Sequence, residues 1–332
     1  MLPNNPENQV SPTLSPETTD QIPTTFKEAV ALAKDFAEKE MQEEVQQKHL
    51  YFHNLAHVRG VQRRANRLFG VIKPYWQKTL PSDTPPDYLD RMEQLTALCA
   101  IAHDMVQHFM PVSEMPRKRE TGVSEIATVE KLIDYIKNLN QKISAIEPES
   151  PAIFKDEELA TIREAIEATI CLYDPTDGGI FQRDLYDRNK TLSIVSQIVA
   201  LADIGALGME GIEAQKQEGI LIFLEENPDL APVVLKSDLK SQPPEVLEDV
   251  RQRLLKRTKF HVRFARARFT RFTREVEGLP ADAIPILAEQ VFKYLNEHTI
   301  KQIESTTPTA DDTPLEELIE FFKFHDYVQA TI

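Results

Sequence analysis

The residues best equipped for chemistry gather in one stretch of the chain. His49, His53, His57, His103 and His108 fall within sixty residues, while His261, His298 and His325 lie far downstream. In His53-Asn-Leu-Ala-His57 two imidazoles stand at i and i+4, positions that share one face of a helix. His103-Asp104 is embedded in the apolar segment LCAIAHDMV, and Asp203 in a second apolar run, IVALADIGALG. An unpaired charge in such a setting costs roughly several kcal/mol. A divalent cation relieves that cost, because it accepts neutral imidazole nitrogen and carboxylate oxygen together. Taken singly, each residue reads as a hydrogen-bonded core group. Taken together, they point to a metal site.

The elements that must position these residues read as helices. Phe26, Ala29, Val30, Ala33 and Phe36 recur at i, i+3, i+4 spacing, which predicts a helix from 25 to about 48. Others are expected over 54–71 and 88–106, the latter almost wholly apolar from Leu95 and therefore central. The segment 73–87 reads as a Pro-broken loop. Further helices are expected over 121–138, 157–172, 184–208, 212–226, 246–277, 281–302 and 315–328, with Asp174-Pro175 and Gly178-Gly179 as a break. No run of alternating strands appears, and Gly is only 10 residues of 332. The expected fold class is therefore all-α. A principal helical domain would span 25–225, followed by a linker at 226–245 and C-terminal helices at 246–332 packed on the core. Residues 1–24 are rich in Pro, Thr, Ser and Asn and lack Lys and Arg, so they read as a disordered tail rather than a leader.

These motifs resemble a known family. Tyr51-Phe-His-Asn-Leu-Ala-His57 is similar to the Tyr-His-Asn-x-x-His signature of one group of HD-domain metal-dependent phosphohydrolases. AIAHDMV resembles the motif that names that superfamily, and AIEAT and LADIGALG resemble its later landmarks. The resemblance covers about half the chain, over 51–208. It implies an HD-domain-like helical bundle with His57, His103, Asp104 and Asp203 as ligands to one or two divalent ions, among Mn, Mg, Fe, Zn and Ni. Asp104 would bridge if two are bound. His53 would be the general acid that protonates the leaving oxygen. The implied activity is hydrolysis of a phosphomonoester or phosphodiester of a small molecule, such as a nucleotide, by metal-activated water.

Some acids and bases near these motifs are further candidates. Glu120 and Glu125 could orient a water, or simply serve as helix N-terminal acids. Arg117, Lys118 and Arg119 could meet a phosphate, or form a solvated basic loop. Arg63, with Arg59 and Arg64, follows the first motif and is a candidate contact to substrate oxygen. The chain also departs from the family pattern. Cys171 and Leu172 stand where relatives often carry histidine, Leu201 where they often carry an acid, and His108 comes one position late. These departures support an alternative: a weakly active or inactive binding protein that retains a metal or anion site.

The net charge of -15 disfavours nucleic acid and anionic membranes as partners, and no apolar run is long enough for a membrane span. The implied partner is a small phosphorylated molecule, and self-association stays open. Two cysteines suit a reducing compartment, so the expected location is the cytoplasm. One segment runs against the acidic average. Residues 251–274 hold ten Lys and Arg and no acid, while elsewhere 28 basic residues face 53 acidic ones, a balance of -25. Phe260, Phe264, Phe269 and Phe272 interleave with those cations. The helix can pack its Phe stripe inward and pair its Arg face with the chain's own acids, or present both to an anion.

Overall fold

The structure is a computed structural model that describes residues 22–111, 115–187, 189–235, 239–324 and 326. Most of the tail expected at 1–24 lies outside the described residues, as does His325. The chain is mostly helical, as expected. In order it forms α1 (Phe26–Lys48), α2 (Leu55–Thr79), α3 (Tyr88–Ala102), α4 (Val123–Ser144) and α5 (Asp156–Glu167). A hairpin follows, β1 (Cys171–Asp174) and β2 (Gly179–Gln182), then α6 (Ile194–Asp203), α7 (Ala206–Glu210), α8 (Ile212–Glu226) and α9 (Ala231–Leu235). The long α10 (Pro244–Glu275), a short α11 (Ile284–Ile286), α12 (Glu297–Thr306) and α13 (Leu315–Phe322) complete it.

Helix starts follow local chemistry. Thr25 and Glu28 close a capping box at α1, and Ser193 caps α6. Asn54 caps α2 by accepting from the amides of Ala56 (2.8 Å) and His57 (3.1 Å). α3 is the central element. It packs against α1, α2, α5 and α6, with Leu95, Leu98, Cys99 and Ala102 fully buried. A second core joins α8, α9, α10 and α13 through Phe223, Val234, Leu254 and Phe322. The stretch 226–245 is thus not a free linker, because α9 buries Ala231 and Val234 in that core. No helix among the described residues is long and apolar enough to cross a membrane.

Several boundaries differ from the sequence reading for physical reasons. α2 runs through Pro74 to Thr79, because buried Trp76 packs on Phe69 and Tyr88 with ring centroids about 6 Å apart. Burial there outweighs one missing N–H. The expected break at 174–179 is the turn of an antiparallel hairpin in which Cys171 pairs with Gln182 and Tyr173 with Ile180. Asp174 accepts from the Thr176 amide, and Gly178 turns at φ 70°, a left-handed value suited to glycine. The span 184–208 divides into a 3-10 turn, α6 and α7, and 281–302 divides around Pro285 and the Asn296 cap of α12.

Candidate metal centre

α3 stops at Ala102, four residues earlier than its apolar pattern suggests. The amides that would continue it find side chains from other helices. Val106 N–H donates to Thr128 Oγ1 and His108 N–H to Ser124 Oγ, both at 3.0 Å, and Gln107 N–H to Glu44 at 2.9 Å. That early stop places His103 and Asp104 in a turn at the end of α3. His57 occupies the first turn of α2, and Asp203 is the last residue of α6. Three helix ends thus bring four ligating groups together, with one donor atom from each all within 4.8 Å of one another.

The cross distances are informative. His57 Nε2 lies 3.1 Å from Asp104 Oδ2 and 3.6 Å from Asp203 Oδ1. His103 Nε2 lies 3.0 Å and 3.4 Å from the same two oxygens. Yet neither Nε2 has a hydrogen-bond partner, and both are buried. His103 Nδ1 donates to the Ala100 carbonyl at 3.1 Å, so in the neutral ring it is Nε2 that offers a lone pair to a cation. Ligands held ~2.1 Å from one cation stand roughly 3.0–3.4 Å apart at right-angle to tetrahedral geometry. The donor set and its spacing therefore fit a divalent cation. The histidine side chains are 1–3% exposed and the two aspartates 12% and 16%, so the centre opens on its carboxylate side.

Without a cation, the four groups hold one another's charge. Burial pulls His57 and His103 down, but Asp104 and Asp203 outweigh it and leave both above the ordinary histidine value. Burial pushes the two aspartates up, but the histidines hold both well below the carboxylate range. Neighbouring side chains orient the carboxylates. Gln182 Nε2 donates to Asp203 Oδ2 at 3.1 Å, and Gln107 Nε2 to Asp104 Oδ1 at 3.2 Å.

His53 lies just before α2, so it does not share a helix face with His57 as the i, i+4 spacing suggests. Asn54 caps α2, so His53 precedes the first turn, its ring centroid 6.1 Å from that of His57. Its Nδ1 meets Glu225 of α8, and its Nε2 lies 2.8 Å from Arg119 Nη1 and 3.9 Å from Asp104 Oδ2. A guanidinium only donates, so Nε2 accepts from Arg119 and the ring proton sits on Nδ1. Glu225 also accepts from the amides of Tyr51, Phe52 and His53. Burial pushes its carboxyl up, but His53, the Phe52 amide and Arg119 bring it down to about 2.

Other candidates fall in different places. Glu120 is exposed, and the acid beside the centre is Glu125. Burial, and then the charges of Asp104 and Asp203, push Glu125 above the ordinary value. Of the basic loop, Arg119 reaches the site, donating also to Gln107 Oε1 at 2.9 Å, although the residue as a whole is exposed. Arg117 turns instead to the Lys48 carbonyl (3.0 Å), where it meets the negative end of α1. Lys118 and Arg63 are exposed. Arg59 pairs with Glu38, and buried Arg64 with Glu218. The Cys171 thiol is pushed up by burial and then by Asp203, and its hairpin partner is Gln182, which donates to Asp203.

Glu225 and Gln182 are absent from the sequence reading. Glu225 left a faint signal, since an acid in the last turn of an apolar helix opposes the helix dipole without a specific partner. Gln182 left none.

The basic α10 is largely matched within the chain. Arg253 pairs with Asp229 and Asp249, Arg266 with Glu297 and Glu304, and Arg271 with Asp174 and Asp177. Arg268 pairs with Glu275, which also accepts from Tyr186. No family model, curated protein or solved structure matches the chain.

Proposed function

We propose that this chain is a cytoplasmic, metal-dependent phosphohydrolase of the HD-domain kind, acting on a small phosphorylated molecule such as a nucleotide. The observation that carries the reading is the pair of buried, unpartnered imidazole Nε2 atoms facing two carboxylates from separate helices. His57, His103, Asp104 and Asp203 would hold the ion. When bound, a divalent ion supplies positive charge for phosphoryl oxygens and makes water acidic enough to attack at neutral pH. Arg119 supplies hydrogen-bond donors at the exposed edge, suited to a phosphate oxygen. A phosphate drawing Arg119 away would free His53 Nε2 to take up a proton from solvent, and Glu225 would stabilise the resulting imidazolium, which can then protonate a leaving oxygen. Gln182 and Gln107 fix the carboxylate orientations.

A second reading, a binding protein with little turnover, draws on Arg119. Its hydrogen bond to His53 Nε2 occupies the atom a general acid needs free. One experiment separates the two. Elemental analysis of wild type and Asp104→Asn is paired with a phosphoester panel. Near-stoichiometric metal in wild type, its loss in Asp104→Asn, and turnover that falls in His53→Ala with metal retained are the expected results. Full metal with no hydrolysis selects the binding reading. No metal in wild type after reconstitution defeats both.

A further inference from the structure

Gln107 joins the two oppositely charged halves of the site. Its side-chain Nε2 donates to Asp104 Oδ1 at 3.2 Å and to the Asp104 carbonyl at 3.3 Å. Its Oε1 accepts from Arg119 Nη1 at 2.9 Å. The amide has one workable orientation, because a carboxylate only accepts and a guanidinium only donates. Reversed, it would set oxygen against carboxylate and N–H against guanidinium. The residue is fully buried, where a broken hydrogen bond costs more than at the surface.

The backbone of Gln107 is held as firmly as its side chain. Its N–H donates to Glu44 at 2.9 Å, and its carbonyl accepts from Lys48 Nζ at 2.6 Å. Glu44 and Lys48 pair with each other across the last turn of α1. The amide therefore projects from a fixed mount, with little freedom left to lose when a ligand binds.

Each end of the amide has a consequence. Asp104 Oδ2 is the oxygen that faces His57 Nε2 and His103 Nε2, at 3.1 and 3.0 Å. By holding Oδ1, Gln107 reserves Oδ2 for a cation. At the other end, the two hydrogens of Arg119 Nη1 are divided between Gln107 Oε1 and His53 Nε2. Arg119 Nε and Nη2 make no hydrogen bond among the described residues, which leaves them for phosphate oxygens. When a phosphate draws Arg119 off His53, the bond to Gln107 keeps the guanidinium beside the centre.

We infer that Gln107 is a positioning residue that ties phosphate binding at Arg119 to metal binding at Asp104. The inference rests on the phosphohydrolase reading above and adds a requirement to it. One buried residue must donate at one end and accept at the other, which glutamine does and a methionine of similar length does not.

The test is calorimetric titration of the full chain with Mn2+ (or Zn2+ where Mn2+ does not bind), then with inorganic phosphate at saturating metal. Gln107→Met should bind the metal at least about tenfold more weakly than wild type, and Arg119→Met no more weakly. Phosphate binding should weaken about tenfold in Arg119→Met and about fivefold in Gln107→Met. The double variant should stay within about twofold of Arg119→Met, because a bond already lost cannot be lost again. A Gln107 that only stabilises the fold would lower the melting temperature, leave metal affinity unchanged and give additive phosphate losses. Unchanged metal affinity or additive losses overturn the inference while the metal reading stands, as does metal-loaded wild type that binds no phosphate. Wild type that takes up neither metal defeats the metal reading and the inference with it. If Gln107→Met does not fold, Gln107→Asn carries the comparison. It keeps the amide one methylene short of its two partners, so smaller losses in the same directions are expected.

Discussion

Arg91 and the His–Asp centre are both buried among apolar helices, and they meet that burial in opposite ways. Arg91 donates to both oxygens of Glu158, at 2.5 and 2.8 Å, and to the carbonyls of Pro151 and Ile153. Its guanidinium also lies 3.6 Å over the Phe26 ring. Glu158 accepts in turn from the Lys155 amide. Donors meet acceptors throughout. At the centre, imidazole Nε2 atoms and carboxylate oxygens meet at 3.0–3.6 Å with no hydrogen bond from either Nε2. A satisfied buried pair organises a fold, whereas a set of converging acceptors is organised for a cation.

The largest effect should come from breaking the satisfied pair. Arg91→Met leaves Glu158 buried and alone, and the expected loss is about 3–5 kcal/mol in urea unfolding, with metal bound per folded chain unchanged. A loss near zero would erase the contrast between the two regions. His261 sharpens the contrast from a third setting, burial beside cations. Its folded pKa, about 3, lies below the ordinary value of 6.5, so the unfolded chain binds the proton first. Stability is therefore present above about pH 6.5 and declines as pH falls toward 3, by on the order of a few kcal/mol. His261→Gln should flatten that slope, while wild type and variant melt alike above pH 7. An unchanged slope in the variant would show that His261 is not the group responsible. The smallest effect belongs to the exposed pairs of α10. Arg266→Ala removes contacts to Glu297 and Glu304 and should cost under about 1 kcal/mol in thermal unfolding. A larger loss would mean that α10 is held by its charges rather than by its apolar face.

Much of this organisation was legible because it is local. Asn54 and Thr25 carry their capping chemistry in the sequence, and apolar spacing exposed α1, α2 and the central α3. The hairpin was half legible. Its turn residues read as a break, but two four-residue strands are too short for a period-of-two pattern to stand out. Pro74 misled, because proline signals a break locally while Trp76 decides the matter through packing.

For the centre, the sequence by itself supplied the four ligating residue types and their placement in apolar runs, and a buried charge needs a partner wherever the chain folds. Only the tertiary structure decided which atoms face which. It ended α3 at Ala102, using side chains from α1 and α4, and so turned Asp104 toward His57 and Asp203. It brought Glu225 to His53 across 172 positions, and chose Arg119 over its two basic neighbours. Hydrogen bonds between residues so far apart leave no periodicity along the chain, because their partners are set by packing and not by spacing.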